Sequence, residues 1–149
     1  MLPTSVYLSL GSNLGDRHGL LLLAIDLLAR RVGRLVRASS FIETEPWGFD
    51  SPHRFLNAVV LLHTELSPHE VLAQTQAIER ELGRTHKTGA DLSYSDRPID
   101  IDILLYGNLR LSTPELTIPH PRMDERDFVL RPLRELLPDY SLSNRHTSS

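Results

Sequence analysis

Pro98-Ile99-Asp100-Ile101-Asp102-Ile103-Leu104-Leu105-Tyr106 alternates isoleucine with aspartate and then turns wholly apolar. A period of two marks a strand, and residues two apart in a strand share a face. Ile99, Ile101 and Ile103 therefore point one way, and Asp100 and Asp102 the other. Aspartate is depleted in strands, and like charges on one face repel. The pair needs a compensating partner, and a divalent cation is the natural one. Carboxylates suit Mg²⁺, which takes one or two of them and fills its octahedron with water and substrate phosphates. Alpha carbons at i and i+2 lie about 6.6 Å apart. Their side chains can converge on one ion or bracket two ions about 3.5–4 Å apart. The bland alternative is a solvated strand face. Arg84, Lys87 and Arg97 upstream and His120, Arg122 and Arg126 downstream favour a metal-bound polyphosphate instead.

Working outward from this strand, Ser5 to Leu10 alternates in the same way and ends in the turn-rich Gly11-Ser12-Asn13-Leu14-Gly15. Residues 16–32 carry a leucine stripe that closes on Arg30, Arg31 and Gly33, which are helix stop signals. Leu35 to Thr44 reads as a second strand, residues 45–54 as a loop, and Phe55 to Thr64 as a central third strand. Ser67-Pro68-His69-Glu70 reads as a capping box with proline in the first turn, opening a helix to about Leu82. Residues 84–97 read as a polar loop before the aspartate strand. Glu125 to Leu137 reads as a short helical segment broken at Pro132, and residues 139–149 as a frayed tail. The order βαββαβ predicts an α+β, ferredoxin-like sandwich: a mainly antiparallel sheet with helices packed on one face.

Composition narrows the function. The 149 residues suit one domain, residues 1–149, with 40% hydrophobic and 23% charged residues. There is no cysteine, which excludes a disulfide scaffold, a thiol nucleophile and a thiolate metal site. The net charge of −3 argues against nucleic acid as a partner. The apolar run Leu20 to Ile25 is far short of the ~20 residues a membrane helix needs. No basic-then-apolar leader opens the chain, so the expectation is a cytoplasmic protein without a membrane partner. The phosphate-cradling G-x-x-x-x-G-K-[ST] loop, the protein-kinase signatures and G-x-S-x-G are all missing.

Six blocks of the chain resemble the 6-hydroxymethyl-7,8-dihydropterin pyrophosphokinase family of folate biosynthesis. They are Tyr7 to Gly15 (YLSLGSNLG), Ser39 to Gly48 (SSFIETEPWG), Phe55 to Val59 (FLNAV), Gln76 to Arg84 (QAIERELGR), Arg97 to Gly107 (RPIDIDILLYG) and Ile118 to Leu133 (IPHPRMDERDFVLRPL). They span nearly the whole chain in order. The sequence departs from the family at Tyr94-Ser95-Asp96-Arg97, where many relatives carry an aromatic-Gly-Pro-Arg run.

The resemblance implies transfer of the β,γ-pyrophosphate of ATP to the hydroxymethyl group of a reduced pterin, releasing AMP. It implies a ferredoxin-like fold, ATP as co-substrate, two Mg²⁺ ions and a monomer. It assigns Asp100 and Asp102 to the metals, and Arg84 and Arg97 to the reacting phosphates. Gln76, Glu79, Lys87, Ile103, His120, Pro121 and Arg126 fall at the nucleotide. Thr44, Glu45, Trp47, Phe55, Asn57, Tyr94 and Phe128 fall at the pterin, which enters beside the Gly11–Asn13 turn; Trp47 either covers the pterin or pins its own loop. Loops 45–54 and 84–97 are expected to close over the substrates. These roles make chemical sense. A flat hydrogen-bonding bicycle needs aromatic faces and an amide at its edge, and phosphoryl transfer needs positioning and charge neutralisation. Ferredoxin-like sandwiches also serve as small-molecule sensors and RNA-binding domains. RNA binding needs aromatics on the middle strands and a basic sheet face, whereas here the third strand offers only Phe55 and the fourth offers aspartates.

Overall fold

Strand β1 (Thr4–Ser12) has a partner on each side and carries the centre of the sheet. The structure, a computed structural model, describes residues 2–45, 53–83 and 98–140. After β1 come helix α1 (Arg17–Arg31), strands β2 (Gly33–Ala38), β3 (Ile42–Thr44) and β4 (Phe55–Thr64), helix α2 (Pro68–Glu81) and strand β5 (Asp100–Tyr106). Two short strands follow, β6 (Leu111–Ser112) and β7 (Thr117–Ile118), then a 3₁₀ turn (Met123–Glu125) and helix α3 (Asp127–Leu136). The order across the main sheet is β2-β4-β1-β5, with β3 also on β4, and every pairing is antiparallel. Helices α1 and α2 each cross between parallel strands that have a third strand inserted between them. This doubled split βαβ unit is the ferredoxin-like arrangement.

Local signals explain most boundaries. Asp16 caps α1 by accepting from the Gly19 amide at 3.1 Å. At α2, Ser67 Oγ accepts from the Glu70 amide at 3.2 Å and Glu70 Oε1 accepts from the Ser67 amide at 2.8 Å. That reciprocal cap contributes about 1 kcal/mol. Gly33 serves strand pairing rather than a left-handed helix end: a Cβ there would lie 2.1 Å from the His63 carbonyl oxygen.

Three expectations change. The strand over Leu35 to Thr44 is two strands, β2 and β3. Between them Ser39 replaces a ladder bond with its side chain: its amide donates to Val59 O and its Oγ accepts from the Val59 amide, both at 2.9 Å. Ser40 then leaves the sheet, its amide donating to Glu135 Oε1 at 2.7 Å. Pro132 does not break the last helix, which runs on from Asp127 to Leu136. A proline removes a single amide donor, and Pro132 is buried in the packed face of α3 with Val129 and Leu133. Finally, helices occupy both faces of the sheet. α1 and α2 cover one face, packing Leu21, Leu28 and Ile78 on Leu8, Leu62 and Ile101. α3 covers part of the other, packing Val129, Leu133 and Leu136 on Val59, Leu61 and Leu104. Among the described residues α3 leaves one end of its face uncovered, and the candidate site lies there.

Candidate active site

Strand register builds the floor of the site. Gly11 on β1 pairs with Asn57 on β4 and Asp100 on β5, and Ile42 on β3 pairs with Asn57 in turn. One step along, Ser9 pairs with Val59 and Asp102. Opposed residues of an antiparallel pair share a face, so both aspartates stand on the face that α3 only partly covers. A cleft of about 430 Å³, counted out to open solvent, lies over these rows. Ser9, Leu10, Gly11, Thr44, Glu45, Phe55, Asn57, Asp100, Asp102 and Phe128 line it.

One end of the cleft is apolar and amide-bearing. Asn57 is 3% exposed, and its Nδ2 donates to Thr44 Oγ1 at 2.7 Å. A Cβ on Gly11 would stand 3.1 Å from Asn57 Oδ1 and 3.4 Å from Phe55 Cδ1, so glycine keeps this wall open. Phe128 reaches the cleft from the first turn of α3. The Arg126 guanidinium lies 5.7 Å from the Phe128 ring centre. Burial pushes the Arg126 pKa down to about 10, which leaves it cationic at neutral pH. Glu45 pairs with Arg54 at 2.8 Å, and Arg54 shares Glu43 with Arg17. Asn13 Nδ2 donates to the His53 carbonyl oxygen at 3.1 Å, tying the β1–α1 turn to the start of β4.

The other end is anionic. Asp100 and Asp102 are half-buried on the cleft wall. His120 is close enough to Asp100 for that carboxylate to favour its charged form, but burial dominates and lowers its pKa. The Arg122 amide donates to His120 Nδ1 at 3.2 Å, so the neutral ring carries its proton on Nε2. Pro121 follows His120 and is exposed, three residues past the end of β7. Among the described residues no group of three or more His, Asp or Glu side chains could by itself hold a metal. A pair of half-buried carboxylates on an open wall suits a cation that draws its remaining ligands from phosphate and water.

The expected residues thus divide. Thr44, Glu45, Phe55, Asn57, Asp100, Asp102 and Phe128 meet around one cleft, with Arg126 and His120 at its margins. Gln76 is exposed on α2. The resemblance puts Glu79 at the nucleotide. Here it is buried on α2, and Oε2 accepts from the Ile101 amide at 2.7 Å. The Ile103 side chain lies in the α1–α2 core, on the opposite face from the aspartates. Trp47, Arg84, Lys87, Tyr94 and Arg97, with most of the two loops expected to close, lie outside the described residues. Ser9 was not among the expected site residues. Its signal was its parity with Gly11 on an alternating strand.

Comparison with known proteins points to one family. A family model described as 7,8-dihydro-6-hydroxymethylpterin-pyrophosphokinase matches residues 7–138. A protein of Porphyromonas gingivalis, named 2-amino-4-hydroxy-6-hydroxymethyldihydropteridine pyrophosphokinase, is 61% identical over 134 residues, covering 89% of this chain and 90% of that one. A Bacillus subtilis protein of the same name is 44% identical over 131 residues, covering 87% and 76%. The folate synthesis bifunctional protein of Pisum sativum is 42% identical over 132 residues. The match covers 89% of this chain and 25% of that longer one. Among solved structures, an HPPK-DHPS in complex with substrates superposes with a TM-score of 0.73 at 16% identity, over 95% of this chain and 41% of that one. At that identity the likeness speaks for the fold.

Proposed function

The chain belongs to the 7,8-dihydro-6-hydroxymethylpterin-pyrophosphokinase family, and on that premise we propose that it transfers pyrophosphate from ATP to 6-hydroxymethyl-7,8-dihydropterin in folate biosynthesis. The observation that carries the reading is the shared cleft, lined by two carboxylates together with an amide and two phenylalanines. In the proposed reaction the hydroxymethyl oxygen attacks the β-phosphorus of ATP. The bond from that phosphorus to the bridging oxygen of the α-phosphate breaks, and AMP leaves with that oxygen. The hydroxyl proton passes to a nearby base, for which Asp102 is the proposed acceptor.

Phe55 and Phe128 sandwich the bicycle, and Asn57 with Thr44 reads its polar edge. Asp100 and Asp102 would hold Mg²⁺, two ions in this reading, which would supply charge neutralisation for the phosphoryl transfer. Arg126, His120 and Pro121 flank the nucleotide with Gln76 and Ile103. Arg84, Lys87 and Arg97 supply cations to the phosphates, and Trp47, Glu45 and Tyr94 complete the pterin enclosure. Closing of loops 45–54 and 84–97 would exclude water that otherwise hydrolyses ATP. The proposal extends to one catalytic domain acting as a cytoplasmic monomer on small molecules, without nucleic acid. No described helix is long and apolar enough to cross a membrane.

The test is direct. The chain is mixed with ATP, Mg²⁺ and 6-hydroxymethyl-7,8-dihydropterin, and the products are weighed by mass spectrometry. A pterin diphosphate and AMP in equal amounts are expected. ADP in place of AMP, or no transfer, would reject the reaction.

A further inference from the structure

Strand β5 ends the order β2-β4-β1-β5, so among the described residues one of its edges has no strand beside it in that sheet, although the His120 amide donates to its Leu104 carbonyl at 3.0 Å. In an antiparallel pair, alternate residues exchange hydrogen bonds with the neighbour, and those between turn their amides outward. Ile101 stands opposite Leu10 of β1, and its amide goes to Glu79 Oε2 at 2.7 Å. Glu79 therefore does the work of a neighbouring strand at the one residue that separates Asp100 from Asp102. It sits on the buried face of α2 with Val71, Thr75 and Ile78, and is 9% exposed. Burying a carboxylate is costly unless hydrogen bonds compensate it, so its placement calls for a task. The Ile101 side chain lies in the core that α1 and α2 cover, whereas the two aspartates emerge on the opposite face. The influence of Glu79 on them runs through the backbone of β5.

We propose that Glu79 is the positioning residue of the carboxylate pair: by holding the Ile101 amide it fixes the spacing and direction at which Asp100 and Asp102 meet a phosphate-bound divalent cation. The proposal rests on the reading of that pair given above. Partners that orient metal ligands matter by about 10–100-fold in metal affinity when removed. A side-chain acceptor on a packed helix holds a strand edge more firmly than water would.

Three variants of the full chain test it. Glu79→Leu removes the acceptor, Glu79→Asp keeps the charge but shortens the reach, and Glu79→Gln keeps both length and an oxygen acceptor. Three quantities are read: hydrogen exchange of the Ile101 amide, Mn²⁺ affinity with an ATP analogue carrying a methylene between its α- and β-phosphates, and affinity for the pterin. In the Leu and Asp variants, exchange at Ile101 speeds up, Mn²⁺ binds about tenfold more weakly and pterin affinity stays within twofold. Glu79→Gln recovers most of both losses. Should Glu79→Leu not fold, the Asp and Gln pair decides alone. Unchanged Mn²⁺ affinity beside fast Ile101 exchange would overturn the proposal. So would a Gln variant no better than the Asp variant. Failure of the underlying reading looks different: the wild-type chain itself would make no AMP and bind no Mn²⁺ with nucleotide.

Discussion

Asn57 Nδ2 lies 2.7 Å from Thr44 Oγ1 and 3.5 Å from the Ile42 carbonyl oxygen, so two acceptors fix which end of the amide faces β3. Asn57 Oδ1 is left toward Gly11 and the cleft. Thr44 Oγ1 accepts from Asn57, and among the described residues its own hydrogen is left to donate. The wall therefore offers a donor beside an acceptor, matching the amide edge of a pterin ring.

Thr44→Val keeps the shape and removes the hydroxyl. Asn57 loses its orienting partner and the cleft loses a donor. Pterin binding is expected to weaken by about 1–2 kcal/mol, with ATP binding unchanged. Calorimetry with each substrate separately checks this, and equal losses for both would contradict it.

Gly11→Ala puts a methyl 3.1 Å from Asn57 Oδ1 and 3.4 Å from Phe55 Cδ1. Overfilling of this kind costs about 1–3 kcal/mol. The KM for the pterin is expected to rise while the circular dichroism spectrum stays that of the wild type.

Asp100→Asn and Asp102→Asn each remove one carboxylate charge from the cleft. Losing one preorganised electrostatic group typically costs about 10²–10³ in kcat, and that is the expected fall in AMP formation. Folding stability should hold or rise slightly, because two like charges on one strand face no longer repel. Full activity in either variant at ordinary Mg²⁺ would reject the metal role.

Leu133→Ala opens a cavity at a fully buried position where α3 meets the sheet. Such truncations cost about 2–5 kcal/mol, which urea denaturation would read. Since α3 also carries Phe128, the pterin KM is expected to rise with it.

Glu135 accepts hydrogen bonds from the amide and hydroxyl of Ser40, and these hold its carboxyl below the ordinary value of 4.5. A lowered folded-state pKa means stability that is present above pH 4.5 and fades as pH falls through the folded value. Glu135→Gln is expected to lower Tm at neutral pH, and the gap to the wild type should narrow in acid. A gap independent of pH would show that the ion contributes nothing.

What could be read from the sequence was what the local backbone dictates. The alternation through Asp100 and Asp102 needs only a strand's period of two, and the Ser67–Glu70 cap needs only a helix end. The interruption at Ser39 was hidden because it depends on Val59, reached only after β4 folds back. Pro132 misled because one lost amide bond weighs less than a buried helix face. Glu79 was the hardest to read. Its partner is a backbone amide 22 residues away, and no side-chain pattern encodes that. Nor could parity alone show that α3 would stop short and leave Asn57, Gly11 and Asp100 facing an open cleft.

The isoleucine–aspartate alternation of β5 has one more consequence. If β5 docked against β1 one position out of step, every side chain would exchange faces. Charges would be driven into the oil and greasy chains set out where nucleotide should land. Such a molecule could not retain a fraction of the chemistry. Errors in assembling this enzyme should therefore yield silent copies rather than sloppy ones, and the specific activity of any preparation should count its correctly threaded molecules.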